Sequence, residues 1–495
     1  MELEISCYTK NMAKKEIFES KDELKKTLPV DSLSIGKALG EEIIVEPSKT
    51  VAQAVKTTVE VEKGGLKVVK KAAVSPVNTV KHFWYGLGPG LTTGAADDDP
   101  SGVATYSQQG AKYGFQLLWL APLTFPLMAV VQEMCARIGL ATGRGLAYNI
   151  KKHFPKTLAY SVAILVLLAN SFNIGADLGG MAKATQLLGS FLPFWFLVIG
   201  FVALSLILQI FISYEKYAKY LKYLALTLLV YVVTAFTIKG FPWLTVLKHT
   251  VIPSLSWSKS QIILITGILG TTISPYLFFW QTSQEVEEEI SEGKETIAAR
   301  QQVASQEIKK MRLDVWVGMF FSNLVMFFIV AVCGATLFAH GITNIGSAAD
   351  AAAALKPLAG NYASLLFAVG IIATGLLGIP VLAGSASYAT SESFGWREGL
   401  NLRLRQAVYF YGVIILSMGI GLLLNFVHLD PIKALIYAAV ANGLVAPIIL
   451  VLISIISSNK SIMNSHHNSR LTATIGWLAA GLMIITAIAT IYAFF

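Results

Sequence analysis

The sequence predicts an all-α, polytopic membrane protein of about eleven transmembrane helices, arranged as two inverted five-helix repeats. Three observations predict this fold: a mean hydropathy of +0.60 with only 14% charged residues, long apolar blocks, and prolines that interrupt the first and sixth blocks. A soluble domain carries roughly a quarter charged residues, because charge must cover its surface. The composition therefore excludes an ordinary soluble protein.

The predicted spans follow from the apolar blocks, because about 20 apolar residues cross a bilayer as a helix. Seven blocks contain no Asp, Glu, Lys, Arg or His, an eighth (406–429) contains only His428 of these residue types, and three less pure blocks precede them. The eleven predicted spans lie near 86–110, 113–138, 157–182, 185–214, 223–238, 261–284, 315–339, 357–391, 406–429, 434–459 and 471–495.

The net charge is +9, and the positions of the basic residues indicate the membrane topology. Alternate connections between spans hold 17 Lys and Arg residues, whereas those on the other side hold 7. Loops rich in Lys and Arg stay in the cytoplasm. The sequence therefore predicts a plasma-membrane or inner-membrane protein with a cytoplasmic N-terminus, and the charge implies no nucleic-acid partner.

Residues 1–80 differ from the rest of the chain. They carry 13 Lys and Arg against 12 Asp and Glu, without an apolar run long enough to span. We expect a loosely ordered cytoplasmic extension, with an amphipathic surface helix over Thr50–Ala73 as the alternative. Residues 81–495 then form the transmembrane domain. It divides into repeats at about 84–240 and 260–458 and an extra helix at about 471–495.

Helix breaks occupy corresponding positions in the two repeats. The first span is interrupted at Asp99-Pro100 and the sixth at Ser274-Pro275, 175 residues apart. Proline lacks the N–H that a helix needs, and carbonyls left unpaired in a membrane require a partner. Two interrupted helices in inverted halves are typical of a transport site. We therefore predict an oxygen-rich cation site between the breaks.

Three carboxylates directly precede Pro100: Asp97, Asp98 and Asp99. A charge inside the bilayer needs a partner, and no Lys or Arg occurs between Lys81 and Lys112. A bound cation would supply that partner, with Asp99 as its ligand. The alternative is that the run lies in water at the outer end of the helix.

Several motifs in order resemble one transporter family. They comprise Gly88-Pro89-Gly90, Asp99-Pro100-Ser101-Gly102, Ala104-Thr105, Ala136-Arg137-Ile138-Gly139, Thr142-Gly143, Gly270 with Pro275, Asn323, and Leu355 with Gly375. The chain resembles, over roughly residues 84–495, the natural-resistance-associated macrophage protein (Nramp) transporters. The resemblance implies a leucine-transporter-like fold that carries divalent metal cations by alternating access.

The departures from the family pattern resemble its magnesium-transporting branch. Ser274 stands where the family has its metal-binding methionine, Tyr276 where it has histidine, and Gly102 where it has asparagine. The family's glutamine on the tenth helix falls near Ala439, one turn before Asn442. An acidic pair on the third helix is reduced to Asp177, with Gly180 where its partner should be.

Hard-cation chemistry favours the same branch. Methionine thioethers suit transition metals, and no Met occurs in residues 261–284. Mg²⁺ takes oxygen ligands and keeps several waters, so we expect Mg²⁺, and also Mn²⁺, as substrates, without any cofactor. The predicted ligands are Asp99, Gly102, Thr271 and Ser274. Residues that could support them are Asp98, Glu133, Asp177, Tyr276, Gln281 and Asn442.

All seven histidines lie in loops or at span ends, so none is placed to relay protons. We therefore expect uncoupled transport by a monomer in the lipid bilayer. The alternatives are a proton-coupled Mn²⁺ or Fe²⁺ importer, an amino-acid and cation symporter of the same fold, and a channel. Neither His-Glu-x-x-His nor Gly-x-Ser-x-Gly occurs, which argues against an enzyme.

Overall fold

A computed structural model describes residues 58–62, 65–69, 88–189, 191–212, 226–427 and 430–494. The chain divides into two compact units, Met1–Gly86 and Leu87–Phe495. Most of the predicted N-terminal extension lies outside the described residues, so its loose order stays a prediction.

The described part of the first unit is a hairpin of two antiparallel strands, β1 (Thr58–Glu62) and β2 (Gly65–Val69). Thr58 pairs with Val69, and Glu62 pairs with Gly65. The helix considered over Thr50–Ala73 is therefore wrong for these ten residues. Valine alternates with glutamate in β1, and that period of two suits a strand.

The second unit is helical. The helices of its first half are α1 (Pro89–Asp97), α2 (Pro100–Tyr113), α3 (Leu120–Thr142), α4 (Leu146–His153), α5 (Lys156–Leu187), α6 (Phe194–Phe211), α7 (Val230–Thr237) and α8 (Trp243–Val251). The helices of its second half are α9 (Lys259–Thr272), α10 (Pro275–Ser291), α11 (Ile297–Arg300), α12 (Ser305–Thr336), α13 (Ala348–Ala353), α14 (Lys356–Ala359), α15 (Ala363–Phe394), α16 (Val408–Leu424), α17 (Pro431–Ser458), α18 (Lys460–Met463) and α19 (Arg470–Phe494). Short 3₁₀ turns occupy Leu226–Leu229, Phe338–His340, Gly360–Tyr362 and Asn464–His466.

Each of the eleven predicted spans overlaps one of these helices or a consecutive pair of them. Eight helical segments of the described chain are long and apolar enough to cross a membrane. Thr227–Thr237 and Val408–Leu424 are shorter apolar helices, and α1 with α2 forms the broken first span. The prediction of an all-α, polytopic membrane protein is confirmed.

Glycines let the helices around the breaks pack backbone to backbone. A Cβ on Gly94 would collide with the backbone of Gly318 in α12. A Cβ on Gly270 in α9 would collide with the Ala439 carbonyl of α17. Such close approach between membrane helices needs small residues at the interface. Both broken helices are thereby fixed against continuous neighbours, and the breaks are held in place.

Candidate functional site

The first break separates α1 from α2 at Asp98 and Asp99. The residue before a proline is excluded from the helical region, and Asp99 is extended, with φ −66° and ψ 171°. Pro100 then starts α2, where its missing N–H costs nothing. The Asp99 side chain caps α2: its Oδ1 accepts from the Gly102 N–H at 2.8 Å.

The second break separates α9 from α10 and has the same local cause. Ser274 precedes Pro275 and is extended, with φ −80° and ψ 129°. Its hydroxyl donates to the carbonyls of Gly270, at 2.9 Å, and Thr271. The hydroxyl proton of Ser274 is therefore used inside α9, and its oxygen lone pairs remain available to a ligand.

The two breaks face each other. The Tyr276 hydroxyl, just after the second break, donates to the Ala96 carbonyl of α1 at 3.1 Å. A Cβ on Gly102 would lie 3.1 Å from Thr271 Oγ1 and 3.3 Å from the Asp97 carbonyl oxygen. The C-terminal ends of α1 and α9 thus meet. Each carries partial negative charge on its last carbonyls, which favours a cation between them.

Asp99 is the central carboxylate of this arrangement and is 1% exposed. Oδ1 also accepts from the Ser101 hydroxyl at 2.6 Å, and Oδ2 accepts from Asn173 Nδ2 at 2.8 Å. Gly378 of α15 leaves room for it, since a Cβ there would lie 3.1 Å from the Asp99 Cβ. The structure therefore brings Asp99, Gly102 and Thr271 together, with Ser274 closing α9 beside them.

Asp97 and Asp98 are buried as well, at 0% and 4% exposed. The alternative that the run lies in water at a helix end is therefore wrong. Ser322 of α12 donates to Asp97 Oδ2 at 2.6 Å and lies 3.4 Å from Asp98 Oδ1. Asp97 Oδ1 has no hydrogen-bond partner. One oxygen of the buried acidic run is thus left without a hydrogen-bond partner.

Glu133 lies elsewhere, and the expectation that it supports the ligands is not met. Its Oε1 accepts from Arg312 Nε at 3.0 Å, and its Oε2 accepts from Trp316 Nε1 at 2.9 Å. Arg137 is 3.8 Å away on the same helix. Glu133 is nine residues from Thr124, which contacts the Asn323 amide beside Ser322. At 1.5 Å per residue that separation is roughly 13 Å along α3.

The other predicted supporting residues divide into two groups. Tyr276 connects the breaks as described, and Asn442 is buried on α17 with neither amide atom hydrogen-bonded. Its neighbour Gly443 contacts α9, where a Cβ on Gly270 would touch the Gly443 N–H. Gln281, in contrast, is two turns beyond the second break and donates to Glu285 Oε1 at 2.8 Å.

Asp177 lies on α5 and is 0% exposed. Neither oxygen is engaged by a hydrogen bond of ordinary geometry. Asp177 is close enough to the Asp99 carboxylate to interact with it electrostatically, and it also interacts with the Ser101 backbone N–H. Asp177 therefore lies near the first break, and its supporting role at the site stays a prediction.

Two residues that contact the acidic run were missed at the sequence level: Asn173 and Ser322. Both are uncharged polar residues inside apolar spans, and this isolated polarity is the signal that could have identified them. Their helices bring them to Asp99 and Asp97 only in the folded chain. Within the described residues, no group of three or more His, Cys, Asp or Glu side chains has the geometry of a metal centre. Any cation here must also use carbonyls, hydroxyls or water.

A second acidic feature lies where α1 begins. A cavity of about 180 Å³ is lined by Gly88, Pro89, Leu140, Glu285, Glu288, Glu289, Glu292, Lys294, Glu307, Lys310, Met311 and Asp314. Burial lowers the pKa of Lys294, but its hydrogen bonds to Glu307 and Glu289 outweigh burial and raise the pKa overall. Lys294 therefore stays charged and offsets part of the surrounding negative charge.

Asp314 of α12 closes this end of α1. Its Oδ2 accepts from the Gly90 N–H at 2.6 Å and its Oδ1 from the Leu91 N–H at 3.2 Å. These are among the four amides that a helix start leaves unpaired. The carboxylate also complements the positive end of the helix dipole. Asp314 thus fixes the first half of the broken helix to α12.

We expect Asp314→Ala to lower stability by about 1–2 kcal/mol, the usual cost of losing a helix cap. A melting curve of the purified chain in detergent measures this as a fall in Tm. Glu295→Ala, at an exposed residue of the same region, is the control and should leave Tm unchanged. An unchanged Tm in Asp314→Ala would show that the cap contributes nothing.

Comparisons with known proteins agree with this architecture. A model of the family described as natural resistance-associated macrophage protein-like (Nramp) matches residues 90–493. The divalent metal cation transporter MntH of Deinococcus radiodurans is 26% identical over 401 residues, covering 80% of this chain and 87% of that protein. MntH of Erwinia tasmaniensis is 25% identical over 407 residues, covering 80% and 92%.

Among solved structures, a manganese transporter of Eremococcus coleocola superposes with a TM-score of 0.64 at 20% identity. The match covers 88% of this chain and 90% of that one. At this identity the likeness shows a shared fold.

Proposed function

Because the chain belongs to the Nramp family, we propose that it carries divalent metal cations across a membrane, with Mg²⁺ as its main substrate and Mn²⁺ also accepted. The family consists of integral membrane transporters, so the chain is not an enzyme, and the metal is cargo instead of a cofactor. The observation that carries the proposal is the buried Asp99 carboxylate between two helix breaks whose nearby groups are oxygens.

The proposed ligands are Asp99, Gly102, Thr271 and Ser274. Asp99 supplies charge, and Gly102 supplies room, since a Cβ there would lie 3.1 Å from Thr271 Oγ1. Thr271 and Ser274 supply hydroxyl oxygen. Asp98 and Tyr276 support them from either side of the break, and Asn442 does so from α17. Because Mg²⁺ keeps several of its waters, a wider site with few protein ligands suits it.

Selectivity for hard cations follows from the donor atoms. Ser274 offers oxygen where the family's methionine offers a thioether, and oxygen suits Mg²⁺ and Mn²⁺. The Met326 sulfur does approach α9, at 3.9 Å from Thr272 Oγ1. However, Thr272 Oγ1 donates to the Ile268 carbonyl at 2.7 Å and so points back along its own helix. The Met326 sulfur therefore contacts Thr272, which is not among the proposed ligands.

The test is ion flux into liposomes that hold the purified chain. We expect Mg²⁺ and Mn²⁺ to enter at similar rates, and Ca²⁺, which needs six to eight oxygen ligands, to be rejected. A strong preference for Fe²⁺ or Cd²⁺ over Mg²⁺ would contradict the hard-cation proposal and favour the transition-metal alternative.

The same assay on Ser274→Met tests the role of the donor atom. A thioether should shift the Cd²⁺ to Mg²⁺ ratio toward Cd²⁺ by about tenfold, equivalent to ~1.4 kcal/mol. Ser274→Ala is the matched variant, because it removes the hydroxyl without adding sulfur. An equal shift in Ser274→Ala would show that the lost hydroxyl, and not the added sulfur, is responsible.

The proposed location is the plasma or inner membrane, with the N-terminus and the connection after α10 in the cytoplasm, as the Lys and Arg distribution indicates. The acidic cavity at the start of α1 would then lie on the cytoplasmic side. Protection of Glu295→Cys from a membrane-impermeant thiol reagent added outside checks this topology. Since both breaks belong to one chain, a monomer is sufficient for transport.

The specific observation that favours the proton-coupled alternative is Asp177. It is a fully buried acid beside Asp99 with no ordinary hydrogen bond. An acid in that position could carry a proton with the metal. An amino-acid symporter is disfavoured, because the break itself carries Asp99, which would repel a substrate carboxylate.

A further inference from the structure

Helix α5 carries a polar face inside an otherwise apolar span. Asn170, Asn173 and Asp177 are spaced by three and four residues, which places them on one side of a helix. All three are 0% exposed. The helices that cover them include α15, since the Asn170 amide donates to the Leu382 carbonyl at 2.9 Å.

This face presents four acceptor oxygens to the interior of the helix bundle. Asn170 Oδ1, Asn173 Oδ1 and both carboxylate oxygens of Asp177 are buried without a hydrogen bond of ordinary geometry. Buried polar atoms are nearly always paired, and an unpaired one costs about 1–3 kcal/mol. Four such unpaired acceptors on one buried helix face suggest that a cation is the missing partner.

Asn173 and Asp177 are joined to the transport site through Asp99. The Asn173 amide nitrogen donates to Asp99 Oδ2 at 2.8 Å, and the Asn173 Oδ1 of the same amide has no hydrogen-bond partner. The Asp99 charge also acts directly on Asp177. Asp99 therefore stands between the helix breaks on one side and the polar face of α5 on the other.

Charge balance gives an independent argument. Asp97, Asp98, Asp99 and Asp177 are all buried, and none of them forms an ion pair with a Lys, Arg or His of the described chain. A buried charge without a partner is costly. One divalent cation is balanced by two carboxylates, so these four side chains have the capacity for a second cation.

We propose that Asp177 and the Asn173 amide oxygen, with Asp99 shared, form a second divalent-cation site beside the transport site. The inference rests on the proposed function, since Asp99 is the ligand common to both sites. Carboxylate and amide oxygens with retained water form the donor set of a hard cation. Pairs of metal ions bridged by carboxylates lie about 3.5–4 Å apart in known two-metal sites.

The second site has a consequence for release. Two divalent cations that share one carboxylate repel each other, so occupation of the α5 site weakens binding at the break. Conduction through adjacent sites uses such repulsion to free an ion from a site that holds it well. The transport rate should then rise in two phases as the metal concentration increases, with the second phase at the higher concentration that fills the weaker site.

The experiment uses Mn²⁺ as the probe and the full chain purified in detergent. Equilibrium dialysis should give two bound Mn²⁺ per chain, one tighter than the other. Electron paramagnetic resonance should show the exchange coupling of two neighbouring Mn²⁺ ions. In Asp177→Asn, which keeps the size of the side chain, the count should fall to one, with the coupling lost and the tighter ion retained.

The control is Asp430→Asn, the same substitution at an exposed residue that caps α17. Asn caps as well as Asp, so two Mn²⁺ should remain. Asn173→Ser is a second variant of the site, and it should weaken the second Mn²⁺ without removing the first.

One Mn²⁺ per chain without coupling, lost in Asp99→Ala but unchanged in Asp177→Asn, would overturn the second site and leave the proposed function standing. Absence of any bound Mn²⁺ in the unaltered chain would overturn both.

Discussion

Asp99→Ala is expected to abolish transport of Mg²⁺ and Mn²⁺ and to weaken binding at the break by at least about 100-fold, or ~2.7 kcal/mol. Asp99 is the carboxylate that faces both helix breaks, and no basic side chain competes for it within the described residues. Calorimetry of Mn²⁺ binding measures the loss of affinity. Size-exclusion chromatography in detergent should show a folded, monodisperse protein.

Asp99→Asn separates the charge of this residue from its structural role. Asn caps a helix as well as Asp does, so the hydrogen bonds from Ser101 and Gly102 can persist. The variant should therefore lose transport while its melting temperature stays near that of the unaltered chain. Unchanged affinity in both variants would contradict the assignment and point to Asp97 or Asp98 as the primary ligand.

Uptake of Mg²⁺ is expected to follow the gradient of the ion and the membrane potential, without obligatory proton symport. Two charges that cross 100 mV gain about 4.6 kcal/mol, which corresponds to an accumulation of more than about a thousandfold. Coupling to a proton gradient is therefore not required to drive accumulation of the ion. The family's histidine is replaced by Tyr276, whose hydroxyl is engaged by the Ala96 carbonyl.

Internal pH recorded in proteoliposomes during metal entry, at a clamped potential, tests this expectation. The pH should not change as Mg²⁺ enters. Acidification that tracks Mg²⁺ entry and disappears in Asp177→Asn would establish proton coupling. Glu133→Gln is the matched control, because Glu133 is paired with Arg312 and Trp316 away from the break.

The order of spans and the position of the breaks could be predicted because their causes are local. A helix in a membrane satisfies its own backbone hydrogen bonds, so apolar length alone identifies it. Pro100 and Pro275 lack an N–H and exclude the preceding residue from the helical region. Asp99 and Ser274 therefore had to be extended, and the structure has them so.

Partners far apart in sequence were decided by packing. Asn173 and Ser322 reach the acidic run only because α5 and α12 lie against the first break. Glu133 was expected near the ligands, but its oxygens bind Arg312 and Trp316 instead. A carboxylate carries no local signal of the partner it will meet, because that partner is set by helix packing.

The sequence by itself thus determined the fold class, the two breaks and the oxygen-rich donor set around Asp99. Only the tertiary structure decided which carboxylates are buried together and which acquire a basic partner. Backbone geometry and hydrophobicity act over a few residues, whereas the partner of a buried charge depends on the helices packed beside it. For that reason the joint burial of Asp97, Asp98, Asp99 and Asp177 without an ion-pair partner in the described chain became visible only after folding.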